Sequence, residues 1–203
     1  MAYVSLLGDS IIDNKVYVNP GELSVKEHLE DQSGYVFKQL AVDGHTTKDV
    51  INYQLDSLTN LSTHNVLCIG GNDLLSHMSF LQSSLELTVV ELLEQAVGLL
   101  APIKNRYRTI VKNLSQQNPN VLLCTVYEGN LMGDPYYSNI AFASKAMVSM
   151  FNDIVFNTGS LFKTDVLDLR NIFTTPEDYA NPIEPSHIGG KKLSQQILKW
   201  VNK

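Results

Sequence analysis

Apolar and polar positions follow one another along this chain in a pattern that predicts five strands separated by helices. Short apolar runs closed by glycine, asparagine or aspartate are typical of buried strands. Longer stretches whose apolar residues share one face at helical spacing are typical of amphipathic helices. The strands are predicted at residues 3–7, 35–42, 65–69, 121–127 and 165–169, and the helices at 24–31, 47–58, 85–117, 140–157 and 188–201.

The regular alternation of strand and helix favours an α/β fold, in which helices cover both faces of a parallel sheet. A chain of 203 residues without an internal repeat or a linker predicts a single domain over residues 1–203. Ser24 and Glu27 have the spacing of a capping box at the start of the first helix. Pro102 is expected to break or kink the long helix, because proline has no N–H to donate.

Composition narrows the possible partners. The chain has 15 basic and 21 acidic residues, a net charge of −6, and no block of basic residues, so nucleic acid is not expected to bind. No apolar run approaches the roughly 18 residues of a membrane span. The first strand starts without a basic leader, which predicts a cytoplasmic protein, although a removed signal peptide would leave the same sequence.

The two cysteines, Cys68 and Cys124, lie near the ends of apolar runs. We interpret them as buried, reduced thiols of core strands, with a disulfide or a reactive thiol as the alternatives. Neither has the spacing of a metal ligand set, so no metal is predicted.

Three predicted strands end in residues that carry chemistry: Gly8-Asp9-Ser10, Asp43-Gly44 and Gly70-Gly71-Asn72-Asp73. The carboxyl ends of parallel strands meet at the edge of the sheet where ligands bind. A hydroxyl, a glycine N–H and a carboxamide would then lie around one crevice. Serine acyl transfer requires these groups, as a nucleophile and as donors to the oxyanion of the transition state.

A second group of candidates precedes the last helix, in the run Glu184-Pro185-Ser186-His187. A histidine beyond the final strand can reach the same edge and act as general base. A carboxylate three residues earlier can orient its ring and stabilise the imidazolium.

Together these four short blocks resemble the GDSL lipases and esterases, also called SGNH hydrolases. The resemblance implies a flavodoxin-like three-layer α/β/α sandwich with a five-stranded parallel sheet in the order 2-1-3-4-5. It also implies that Ser10 is the nucleophile and His187 the general base. The oxyanion hole would consist of the Ser10 and Gly44 N–H groups and the Asn72 side chain.

The chain departs from the family pattern in two places. Glu184 stands where the family has aspartate three residues before the histidine, and Ile188 stands where many members have proline. Glutamate can orient a histidine with one additional methylene. If Glu184 points away, Asp178 or a backbone carbonyl would orient His187 instead.

The predicted function is hydrolysis of carboxylic esters through a Ser10–His187–Glu184 triad and an acyl-enzyme, without a metal or organic cofactor. The substrate would be a small-molecule ester: an acyl ester, an acetylated sugar or a lipid. Tyr136 and Tyr137 would wall the acyl pocket or remain exposed loop aromatics, and His77 would contact substrate. An acyltransferase with the same triad and a non-catalytic carbohydrate- or lipid-binding module are the alternatives.

Overall fold

The computed structural model describes residues 2–77, 79–80 and 87–203, and these contain a five-stranded parallel sheet in the order β2-β1-β3-β4-β5. This confirms the expected strand order. Gly8 at the end of β1 lies opposite Cys68 of β3, which lies opposite Cys124 of β4. Both cysteines are buried free thiols, as predicted. The strands are β1 (Tyr3–Gly8), β2 (Val36–Gln39), β3 (His64–Cys68), β4 (Val121–Cys124) and β5 (Asp165–Leu167).

In the described part of the chain, helices lie between successive strands, and one more follows β5. They include α1 (Val25–Asp31), α2 (Thr47–Asp49), α3 (Gly71–Leu75), α4 (Val89–Gln117), α5 (Ala141–Phe162) and α6 (His187–Val201). Ser24 and Glu27 form the predicted capping box of α1. The helix predicted at 47–58 is divided, because a π-helical turn at Val50–Gln54 and a 3-10 turn at Leu55–Ser57 follow α2.

The long helix α4 continues through Pro102. The expected break at this proline is therefore absent from the helix. Its predicted first residues, 85 and 86, lie outside the described residues. Within the described ranges, no helix combines the length and apolar character needed to cross a membrane.

Two apolar clusters cover the two faces of the sheet, as the predicted sandwich requires. Leu6 of β1 belongs to the cluster that also holds residues of α1 and α6. The next residue, Leu7, belongs to the cluster formed with α4 and α5. Consecutive side chains of a strand point to opposite faces, so the continuous apolar run of β1 serves both layers.

Helix α5 packs against the backbone just after two of the strands, β3 and β4. Gly70, just after β3, has φ +126°, and a Cβ there would lie 2.2 Å from the Phe151 ring. The buried Asn152 side chain accepts a hydrogen bond from the Val126 N–H and donates one to the Val126 carbonyl oxygen, both at 2.8 Å. Val126 follows β4, so one helix fixes the chain where both strands leave the sheet.

Candidate active site

The turn after β1 depends on the glycine at its start. Gly8 has φ +137°, and a Cβ at this position would lie 1.7 Å from the carbonyl oxygen of Cys68. The Asp9 N–H donates to that same oxygen at 3.1 Å. The Gln54 side chain binds both the N–H and the carbonyl oxygen of Gly8, at 2.9 and 2.8 Å. This close packing fixes the direction in which the chain turns into Ser10.

Ser10 occupies the first position of a helical turn. The Asp9 carbonyl oxygen accepts hydrogen bonds from Ile12 and Asp13 at 3.1 and 3.0 Å. Ser10 itself is 6% exposed, and its backbone N–H has no acceptor among the described residues. Because a buried N–H is costly to leave unpaired, this donor is available for a bound ligand.

The other two predicted oxyanion donors lie on the neighbouring turns. Gly44 has φ +80°, and within the described chain its N–H also has no acceptor. The Asn72 amide donates to the carbonyl oxygen of His45 at 3.1 Å, which leaves its second N–H available. Asn72 lines the same cleft as Ser10. The predicted donors therefore lie on three adjacent strand ends, as expected for a parallel sheet.

The cleft has a volume of about 90 Å³ and is mostly apolar. Tyr137 is one of its wall residues. Tyr136 is exposed and lines a shallow neighbouring groove instead, and His77 is not among the lining residues. The apolar wall consists of Ile11, Leu74, Leu75, Val126, Leu131, Met147, Val148 and Ile183.

Glu184 is the acidic residue that faces Ser10. It lines the cleft and is 7% exposed. Burial raises the pKa of its carboxyl to about 7; the neighbouring Ser10 side chain opposes this rise and the Asp43 charge adds to it. One carboxyl oxygen, Oε2, is buried and has no partner among the described residues.

Hydrogen bonds to the preceding residues hold Glu184 in this position. The Asn181 Oδ1 atom accepts from the backbone N–H groups of Ile183 and Glu184, both at 3.0 Å. The Tyr127 hydroxyl donates to the Ile183 carbonyl oxygen at 2.6 Å. The backbone on the amino-terminal side of Glu184 is therefore anchored to the cleft wall.

The structure places His187, the predicted general base, against helix α1. Its Nδ1 atom is 3.1 Å from Nε2 of His28 and accepts from the Leu23 N–H at 3.2 Å. It does not line the cleft. The reason is local: Ser186 caps α6 by accepting from the N–H groups of Ile188 and Gly189, so His187 is already helical and packs against α1.

The two groups predicted to orient His187 are also engaged differently. Glu184 faces Ser10, as described above. The buried Asp178 binds Lys192 Nζ at 2.7 Å and accepts from the N–H groups of Thr174 and Thr175. The sequence does contain a signal for this arrangement. Ser186 is a typical N-cap residue, which would start the helix one residue earlier than predicted and leave Glu184 in the extended segment before it.

Asp9 is a second buried acid beside Ser10. Burial raises the pKa of its carboxyl to about 8, a hydrogen bond from the Ile11 N–H opposes this, and the Glu184 charge adds to it. The folded protein therefore favours the protonated form of Asp9 more than the unfolded chain does. The described part of the chain has no group of three or more histidine, cysteine or acidic side chains that could hold a metal ion.

A polar cluster that sequence reasoning missed fixes the turn after β3. The buried Asp73 carboxylate accepts from the N–H and the hydroxyl of Thr47 at 2.8 and 2.7 Å. Arg106 of α4 binds the same carboxylate at 3.2 Å. Because Asp73 adjoins Asn72, this cluster positions the candidate oxyanion donor against α2 and α4.

Comparison with known proteins identifies the fold. No protein-family model and no curated protein sequence matches the chain. Among solved structures, it is similar to an extracellular lipase from Streptomyces rimosus, with a TM-score of 0.72, 16% identity and coverage of 100% of this chain and 99% of that one. A phospholipase A1 from Streptomyces albidoflavus gives a TM-score of 0.70 and 17% identity over 99% and 98% of the two chains. An acetyl xylan esterase gives a TM-score of 0.68 and 19% identity, with coverage of 98% of this chain and 99% of that one. The chain therefore has the same fold as these lipases and esterases.

Proposed function

We propose that this chain is a carboxylic ester hydrolase in which Ser10 attacks the ester carbonyl and forms an acyl-enzyme. The observation that carries the proposal is the setting of Ser10. Its side chain lines an apolar cleft at the carboxyl end of a central strand, next to a buried acid and with its own N–H unpaired. These are the features that nucleophilic catalysis on an acyl group requires.

Three donors would stabilise the tetrahedral intermediate: the N–H groups of Ser10 and Gly44 and the side-chain amide of Asn72. Each has an N–H that no described residue accepts. Donors fixed before the reaction stabilise a developing oxyanion without reorganisation, which is where most of their catalytic effect comes from.

A small ester is the substrate that the cleft favours. Its wall is apolar, and the polar groups are concentrated around Ser10. Such a site accommodates an acyl group in the cleft and leaves the alcohol portion towards solvent. The similar solved structures are named as lipase, phospholipase and acetyl xylan esterase, all of which are ester hydrolases by name.

The test is hydrolysis of p-nitrophenyl esters, from acetate to laurate, by the wild type and by Ser10→Ala. We expect the variant to lose activity on every ester and to lose labelling by a fluorophosphonate probe, with its thermal unfolding unchanged. Ser160→Ala is a matched control, because Ser160 is exposed on α5. A Ser10→Ala protein that retains most of its activity would contradict the proposal.

A non-catalytic ligand-binding module is the second candidate. The observation that favours it is that the described cleft wall contains no histidine, the residue predicted to act as base. In that case the wild type would neither hydrolyse the ester series nor react with the probe, yet would bind a non-hydrolysable amide analogue of the esters.

A further inference from the structure

We propose that the carboxylate of Glu184 is the direct proton acceptor for the Ser10 hydroxyl, so that a serine–glutamate pair replaces the predicted serine–histidine pair. This inference rests on the proposed ester hydrolysis and assigns its general base. It differs from the sequence prediction, in which Glu184 acts through His187.

The position of Glu184 carries the inference. Its side chain lines the same cleft as that of Ser10, and the residue is almost completely buried. The Oε2 atom has no hydrogen-bond partner among the described residues. An ionised carboxylate only accepts hydrogen bonds, so an uncommitted oxygen beside a serine hydroxyl is a site for its proton.

The other titratable groups of the cleft are less suited to this role. Asp9 also has a buried oxygen without a partner among the described residues, Oδ2, but its Oδ1 accepts from the Ile11 N–H at 3.1 Å. Burial raises the pKa of Asp9 to about 8, above that of Glu184, so Asp9 is the less ionised of the two at neutral pH. Glu128 is paired with Lys145 at 2.9 Å. His187 contacts His28 and Leu23, away from the cleft.

The proposed proton transfers balance over one turnover. As Ser10 Oγ bonds to the carbonyl carbon, its proton passes to the Glu184 carboxylate. When the tetrahedral intermediate collapses, the bond to the leaving alcohol breaks and protonated Glu184 returns the proton to that oxygen. Water then attacks the acyl-enzyme and gives a proton to Glu184, which restores the Ser10 hydroxyl as the carboxylic acid leaves.

The charged surroundings suit this cycle. Burial, followed by the Asp43 charge, raises the pKa of Glu184 to about 7. A group that titrates near the working pH can both accept and return a proton. The acidic groups near enough to interact with the charge of Glu184 include Asp9, Asp43, Tyr17, Tyr127 and Tyr137.

The experiment is the pH dependence of kcat/KM for p-nitrophenyl acetate in the wild type, Glu184→Gln, Glu184→Asp and the control His187→Gln. For the wild type we expect kcat/KM to rise with pH to a plateau, with an apparent pKa near 7. Glu184→Gln should lower the plateau by about 10²–10⁴-fold, the usual contribution of a general base, and lose this ionisation. Glu184→Asp should retain the ionisation and part of the rate, and His187→Gln should match the wild type.

The outcomes separate this inference from the proposed function. Two results would show that the base assignment is wrong: Glu184→Gln keeps the wild-type rate and pH profile, or His187→Gln loses them. If the probe labels Ser10 of the wild type in either case, the proposed ester hydrolysis stands. If the wild type neither hydrolyses esters nor reacts with the probe, both are wrong. If Glu184→Gln does not fold by circular dichroism, the wild-type profile decides, because a rate without an ionisation near neutrality contradicts the assignment.

Discussion

Asn72 and His45, which belong to turns after different strands, are joined by a hydrogen bond of 3.1 Å from the Asn72 amide to the His45 carbonyl oxygen. This bond holds the amide at the cleft and leaves its second N–H for an oxyanion. Asn72→Ala should therefore lower kcat for ester hydrolysis by about 10²–10³-fold, the scale of one lost oxyanion donor. Steady-state kinetics with p-nitrophenyl acetate measures this.

The same substitution at the exposed Asn171 is the control and should leave kcat unchanged. Thermal unfolding of both variants shows whether a loss of rate reflects the site or the fold. An unchanged kcat in Asn72→Ala would show that Asn72 is not an oxyanion donor and that its amide has only the structural hydrogen bond to His45.

The buried Asp9 carboxyl makes stability depend on pH. Its pKa is raised to about 8 from an ordinary value of 3.8, so the folded state holds a proton that the unfolded chain releases. The free energy of unfolding should fall as pH rises from about 4 to about 8. Asp9→Asn should remove part of this fall and be the more stable protein at pH 8, by a few kcal/mol at about 1.4 kcal/mol per pKa unit.

Urea unfolding at a series of pH values tests this expectation. Asp31→Asn, a change of an exposed aspartate, should follow the wild-type curve. If Asp9→Asn also follows that curve, Asp9 is ionised in the folded protein.

The His28–His187 contact predicts a loss of stability in acid. Burial, and then the charge of His187, lower the pKa of His28 from its ordinary 6.5. A group whose pKa is lowered on folding contributes stability above its unfolded pKa, and this is lost as pH falls through the folded value. The wild type should therefore lose stability below about pH 6.5, and His28→Gln should lose less. Chemical unfolding between pH 7 and pH 5 provides the comparison, and equal losses would count against the contact.

Gly8 is the backbone position on which the nucleophile turn depends. Gly8→Ala would place a Cβ 1.7 Å from the Cys68 carbonyl oxygen, so β1 and β3 would have to separate. We expect destabilisation on the order of 4 kcal/mol, the range of severe core defects, and loss of activity with it. Gly34→Ala is the control, because no atom lies within 4 Å of the Cβ it adds and its cost should be within about 0.5 kcal/mol. Urea unfolding that shows equal effects would contradict the steric argument.

The burial of the sheet between two layers of helices and the positions of the turns after the strands could be predicted, because each follows from a short stretch of sequence. Leu6 and Leu7 both belong to a continuous apolar run, which is typical of a strand buried on both faces. The turns at Gly8, Gly44 and Gly70 contain residues that tolerate positive φ. The strand order came from the resemblance to a family, since periodicity does not encode it.

The direction of side chains near the last helix could not be predicted in the same way. Whether Glu184 or His187 enters the cleft depends on which residue begins α6, and a helix start is uncertain by one or two residues. Ser186 caps the helix and turns His187 towards His28. The anchoring of Glu184 by Asn181 is also a short-range contact that no periodic pattern reveals.

The support of the cleft by α5 has a consequence for mutational screens. Phe151 packs against Gly70, and Asn152 binds both backbone groups of Val126. These two consecutive residues therefore hold the turn that carries Asn72 and the segment that contributes Val126 to the apolar wall of the cleft. A substitution of Phe151 or Asn152 should change the shape of the cleft by displacing the backbone after β3 or β4. In a library scored by activity alone, such variants would be grouped with those of the reacting residues, although neither side chain meets the substrate.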